Sequence, residues 1–170
     1  MVMKASPFKD ITQLKRPHFL QLIGREGAGC RRVIFEFIPP QKKVVWVSLQ
    51  WRLYSPRLWK LAQEKGIVLF GLELKDKQRF RFLCRALLEA HSFDYWIFDG
   101  LQLTQAEGQF LLKLLKAKSR EHFKLLIIDS FAHSFCDERI HVCLSHHSFR
   151  ASWSKGGVQR KPLYYPCDWL

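Results

Sequence analysis

No CxxC pair occurs in the sequence, and its five cysteines, at positions 30, 84, 136, 143 and 167, are odd in number. Neither a disulfide framework nor a zinc ribbon is indicated, and a reducing, cytoplasmic setting is expected. No apolar run approaches the roughly 20 residues needed to cross a bilayer, so no membrane span is expected. Residues 1–17 lack the continuous apolar centre of a secretory signal and read as an intracellular start. Internal repeats and low-complexity segments are absent as well. Acid is scarce too: 15 Asp and Glu stand against 28 Lys and Arg, a formal charge of +13. Such a surface favours anionic partners, nucleic acid first among them.

Apolar material is plentiful. Hydrophobic residues make up 48% of the 170, enough to give one domain a real core. The reading is a basic N-terminal arm over 1–18, followed by a single domain over 19–170. Residues 19–23 form an apolar run that stops at Gly24, as a buried strand entering a turn would. A glycine loop then leads into 30–38, where Val33, Ile34, Phe37 and Ile38 share one helical face before Pro39 and Pro40. Strand patterns at 44–48, 67–74, 95–98 and 124–128 alternate with helices. One helix is opened by Ser55-Pro56 and stopped by Gly66. The next is capped by Asp76 and carries Phe80, Leu83, Cys84, Leu87 and Leu88. The last opens on a capping box, Thr104 to Glu107, with Phe110, Leu111, Leu114 and Leu115 facing inward. This order predicts an α/β fold with a mostly parallel central sheet flanked by helices. The tail, 140–149 and 150–165, alternates polar and apolar residues around Gly156-Gly157 and predicts antiparallel strands at the sheet edge.

Gly24, Gly27 and Gly29 lie between a strand and a helix, the setting of a phosphate-binding loop. Such loops need a Lys for the phosphates and a Ser or Thr for magnesium; here Cys30 and Arg31 stand in those places. A tight strand-to-helix turn uses glycine for backbone reasons alone, and that reading stays open.

The segment from Gly24 to Arg32 resembles the Gly-x-Glu-x-x-Gly-Lys-Thr-Thr loop of the RecA recombinase family, with Glu26 at the family's glutamate position. The likeness continues in order over residues 19–165. Residues 46–50 stand where that family has the strand leading to its catalytic glutamate, 54–67 resemble its segment ending in Leu-Gly-Val, and 93–100 resemble its Walker B strand. The resemblance implies a RecA-like core with a degenerate nucleotide site. Gln50 replaces the catalytic glutamate and Asp99 is the Walker B remnant, although an Asp closing a strand is also a common turn residue. No catalytic residue, no cofactor and no efficient ATP hydrolysis are expected.

Within the superfamily the chain is most similar to the ImuA family, RecA-like accessory proteins of the inducible mutagenesis cassette. More distantly, through 55–66, it resembles the SulA division inhibitors. The first likeness implies a part in the SOS response to DNA damage, in translesion synthesis, with an ImuB-like Y-family polymerase homologue or RecA as partner. A division inhibitor and a weak DNA-dependent ATPase are the rival readings.

His133, Cys136, His141, Cys143, His146 and His147 crowd one segment. Their spacings match neither a site of two cysteines and two histidines nor one of four cysteines, and no metal is expected. Residues 139–167 contain no Asp or Glu. There Arg150, Lys155, Arg160 and Lys161 are interleaved with aromatic residues, Trp153 among them. Cations beside stacking platforms suit single-stranded DNA, so Arg150, Trp153, Lys155, Arg160 and Lys161 are candidate DNA-binding residues. A solvated hairpin with its aromatics packed inward is the competing reading.

Overall fold

A computed structural model of the chain describes residues 18–25, 29–49, 56–90, 92–117, 124–145, 148–155 and 162–166. Eight strands form one sheet in the order β3-β2-β4-β5-β1-β6-β7-β8. They are β1 (His18–Ile23), β2 (Lys43–Ser48), β3 (Val68–Glu73), β4 (Tyr95–Asp99), β5 (Lys124–Asp129), β6 (Glu138–Ser145), β7 (Ser148–Lys155) and β8 (Leu163–Pro166). The helices are α1 (Cys30–Ile34), α2 (Pro56–Glu64), α3 (Phe80–Ala90) and α4 (Gln105–Ala117).

The central strands are apolar at nearly every position because the sheet is covered on both faces, the usual condition of a parallel sheet. Leu20, Val44, Trp46, Ile97 and Leu126 pack with Val33, Ile34, Phe37, Leu58 and Ala62 of the α1–α2 side. Their strand neighbours Phe19, Val45, Val47, Phe98 and Leu125 pack with Phe80, Cys84, Leu87, Leu111 and Leu115 of the α3–α4 side.

Helix starts and stops follow their expected chemistry. Glu107 and Thr104 exchange the capping-box bonds: Glu107 N–H donates to Thr104 Oγ1 at 3.2 Å, and Thr104 N–H donates to Glu107 Oε2 at 2.7 Å. Asp76 accepts from Gln78 N–H at the head of a 3₁₀ turn, Lys77–Arg79, that runs into α3. The segment 30–38 is shorter as an α-helix than its pattern suggests, because a 3₁₀ turn takes over at Phe35–Phe37. On α4, Leu111 and Leu115 are fully buried, whereas Phe110 and Leu114 are only partly so. Gly108 is also buried, and a Cβ there would overlap the Phe135 ring.

The tail strands pair antiparallel, β6 with β7 and β7 with β8, as their alternation predicts. β6 runs parallel to β1, with Leu22 opposite Ile140, so antiparallel pairing begins only at β7. Parallel entry requires the chain to descend from the end of β5 across β1, and residues 130–137 do this without a helix. Buried Gln21 holds them: its side chain donates to the Phe131 carbonyl at 2.6 Å and accepts from His133 N–H at 2.9 Å. At the far end of the descent Asp137 N–H donates to the Phe19 carbonyl. A glutamine inside an otherwise apolar strand is thus explained by the segment it anchors.

Candidate functional site

The C-terminal ends of the parallel strands are where α/β sheets of this kind place their ligands. Here β1 ends at Ile23, ahead of Gly24 and Arg25, and β4 ends at Asp99. Glu26, Gly27 and Gln50 lie outside the described residues.

Gly29 begins α1 with φ +84°, a left-handed conformation that L side chains rarely adopt. Its missing Cβ leaves room for the ring of Phe149, which arrives from β7; a Cβ would stand 2.4 Å from Phe149 Cε1. β7 therefore packs an aromatic ring directly against the last glycine of the loop.

Within the first turn of α1, Arg31 reaches across to Asp99. Its Nε donates to Asp99 Oδ2 at 2.6 Å and its Nη2 donates to Oδ1 at 3.3 Å, a two-pronged guanidinium–carboxylate pair. Trp46 Nε1 adds a third donor at 3.2 Å. Asp99 is buried, at 1% exposure. Its role is therefore more than that of a turn residue, because both its oxygens are engaged with side chains from two other elements. The neighbouring thiol of Cys30 is pushed up to about 12 by burial, with the Asp99 charge acting in the same direction. A neutral thiol thus stands where a phosphate-binding ammonium would be needed. Arg32 is paired with Glu36 one turn along. With a guanidinium already on the carboxylate, and a thiol and an arginine in the lysine and hydroxyl places, the described residues do not fit a magnesium-bound nucleotide.

The described candidate DNA-binding residues, Arg150, Trp153 and Lys155, are not brought together. Trp153 lies on the α1–α2 side, its ring edge-on to Phe37 at 6.4 Å and its Nε1 donating to Glu138. Arg150, an odd number of positions away on the same strand, projects exposed from the opposite face. Lys155 is drawn inward, its Nζ donating to the Ser134 and Cys136 carbonyls at 2.7 and 2.6 Å. Arg160 and Lys161 lie outside the described residues. His146 and His147 of the polar cluster lie outside the described residues, and its described members are spread apart. His133 is buried with Nε2 2.9 Å from Asp129 Oδ2, whereas His141 and Cys143 are exposed on β6. Among the described residues no three His, Cys, Asp or Glu side chains gather as a metal site.

Two surfaces lie beyond what the sequence pattern marks. Edge strand β3 exposes Val68, Phe70 and Leu72, each by more than a third. Its apolar run is the same signal that marks a central strand, so only the strand order reveals it. The second is the run from Lys75 to Arg85, five cations in eleven residues interleaved with Phe80 and Phe82. The inward stripe of the helix is legible there; the signal for its outward face is the density of cations beside a phenylalanine off that stripe.

Taken together, sheet order, flanking helices and loop position define a RecA-like α/β fold. The crystal structure of the RadB recombinase superposes with a TM-score of 0.65 at 16% identity, over 90% of this chain and 88% of that one. No family model matches the chain and no curated protein matches it in sequence. No described helix is long and apolar enough to cross a membrane.

Proposed function

We propose that this protein is a non-catalytic RecA-like accessory factor in DNA-damage-induced translesion synthesis. It acts by binding a protein partner, a Y-family polymerase homologue or RecA itself, and does not turn over ATP. The Arg31–Asp99 pair carries the reading: a cation supplied by the chain takes the place that the metal-binding chemistry of an ATPase needs, and it does so with good hydrogen-bond geometry. The apolar outer face of β3 supports the protein-binding half. An exposed edge strand with an apolar stripe is a liability unless a partner covers it, and an extended segment pairing along it gains main-chain hydrogen bonds together with side-chain contacts.

The purified protein is expected to release phosphate from ATP at the background rate, with or without single-stranded DNA. Turnover well above background that is lost in Asp99→Ala would overturn the non-catalytic assignment. In a pull-down, the intact chain is expected to retain the polymerase homologue or RecA, and Phe70→Glu to lose it while keeping the native circular dichroism spectrum. If the intact chain retains neither, the accessory role fails and binding to a division protein becomes the reading to test.

A further inference from the structure

We propose that the outward face of α3 and α4 is a binding platform for single-stranded nucleic acid, centred on Phe82 and the arginines around it. This inference goes beyond the protein-partner reading and holds whichever partner is bound.

Phe82 is 75% exposed, on the side of α3 opposite its buried stripe of Phe80, Cys84, Leu87 and Leu88. No core requirement places a phenylalanine there. Beside it, Arg81 and Arg85 are one helical turn apart and both lie over the ring of Phe110 on α4, their guanidinium carbons 5.2 and 5.7 Å from its centroid. Arg79 and Lys113 are exposed as well.

Lys77 is bridged to Glu107, but among the described residues Arg79, Arg81, Arg85 and Lys113 have no carboxylate within 4.0 Å. Two like charges held over one aromatic ring repel each other, and Glu89, one turn beyond Arg85 on α3, is not within 4.0 Å of either guanidinium. Helix stability does not account for them either. Arg79 closes the 3₁₀ turn that Asp76 caps, and Arg81 lies in the first turn of α3, which carries no acid of its own and where a cation opposes the helix dipole.

An anionic ligand resolves both problems. A row of cations tracking a phosphate backbone beside aromatic faces that take unpaired bases is the recognition chemistry of single strands, and the formal charge of +13 adds long-range attraction. Phe82 projects from the surface, so its ring is open to stacking by a base. An acidic protein segment with aromatic anchors would instead need a recess to receive them.

The test is fluorescence anisotropy of a dye-labelled oligo(dT) of about 20 nucleotides, titrated with the intact chain at several salt concentrations. Phe82→Ala is expected to weaken binding about tenfold, the order expected for one lost stacking platform. Arg81→Gln with Arg85→Gln should also lower the slope of log affinity against log salt by about 1.4, two cations at about 0.7 each. Arg150→Gln, on the C-terminal hairpin, should change affinity less than twofold. All these side chains are exposed, and an unchanged circular dichroism spectrum confirms the fold. The proposal is overturned if the intact chain does not bind the oligonucleotide, if both α3 variants bind as tightly as the parent, or if Arg150→Gln is the change that removes binding. It is equally overturned if poly-glutamate displaces the strand as effectively as unlabelled oligo(dT), which would assign the platform to an acidic protein. The pull-down described above reads a different surface, so each result stands without the other.

Discussion

Arg31→Ala is expected to destabilise the protein by about 2–3 kcal/mol, far more than an ordinary surface arginine. Removing one partner of a buried pair costs roughly 3–5 kcal/mol because a charge is left unpaired in low dielectric. Arg31 itself is 28% exposed, and that access to water reduces the figure. Asp99 stays buried beneath it with only Trp46 Nε1 still donating. Asp99→Asn should cost less, since it removes the charge while keeping an acceptor for the indole. The double variant Arg31→Ala/Asp99→Asn should be more stable than Arg31→Ala alone, the sign of coupling that a double-mutant cycle isolates. Urea unfolding of the four proteins at neutral pH measures this. Additive losses would mean that the pair is only an incidental contact, and the case for a chain-supplied cation in the metal's place would fall with it.

Gly29→Ala should cost about 2–5 kcal/mol, from two separable causes. A residue with a Cβ held at φ +84° loses roughly 1–2 kcal/mol to left-handed strain. The same Cβ would overlap the buried Phe149 ring, and overpacking typically costs roughly 1–3 kcal/mol. Gly66 supplies the control. It has φ +65° but its nearest neighbour atom would be 3.6 Å away, so Gly66→Ala should show the strain alone. Adding Phe149→Leu to Gly29→Ala should recover part of the packing loss and none of the strain. Thermal unfolding of this set checks the assignment; equal losses at Gly29 and Gly66 would mean that β7 does not press on the loop. The result bears on the proposed function because Phe149 ties the C-terminal hairpin to the glycine that opens α1.

Much of the architecture was legible from local pattern. The alternation of apolar runs with amphipathic helices, the Thr104–Glu107 capping box and the Gly66 stop are all short-range signals, and each carries its meaning within a few residues. The α/β class and the position of the glycine loop follow from them. Cys30 and Arg31 at the head of α1 are local features as well, set by residue type and spacing after the glycines.

Relations between distant segments depended on the tertiary structure. Arg31 and Asp99 are 68 positions apart, and nothing local tells an arginine that will salt-bridge from one that will face water. The tail strands show the same limit: alternation fixed the two faces of β7, yet the parallel entry of β6 depends on Gln21 anchoring a segment 110 positions away. Edge strand β3 reads like a buried one because hydrophobicity records what a residue prefers, while strand order decides what covers it. Odd spacing on one strand already sends Arg150 and Trp153 to opposite faces, but only the packed structure says which of those faces meets the core. Local chemistry by itself determined the fold class; the Arg31–Asp99 pair, the apolar face that β3 exposes and the hold of Lys155 on the Ser134 and Cys136 carbonyls were decided by three-dimensional packing, which alone brings remote residues within reach of one another.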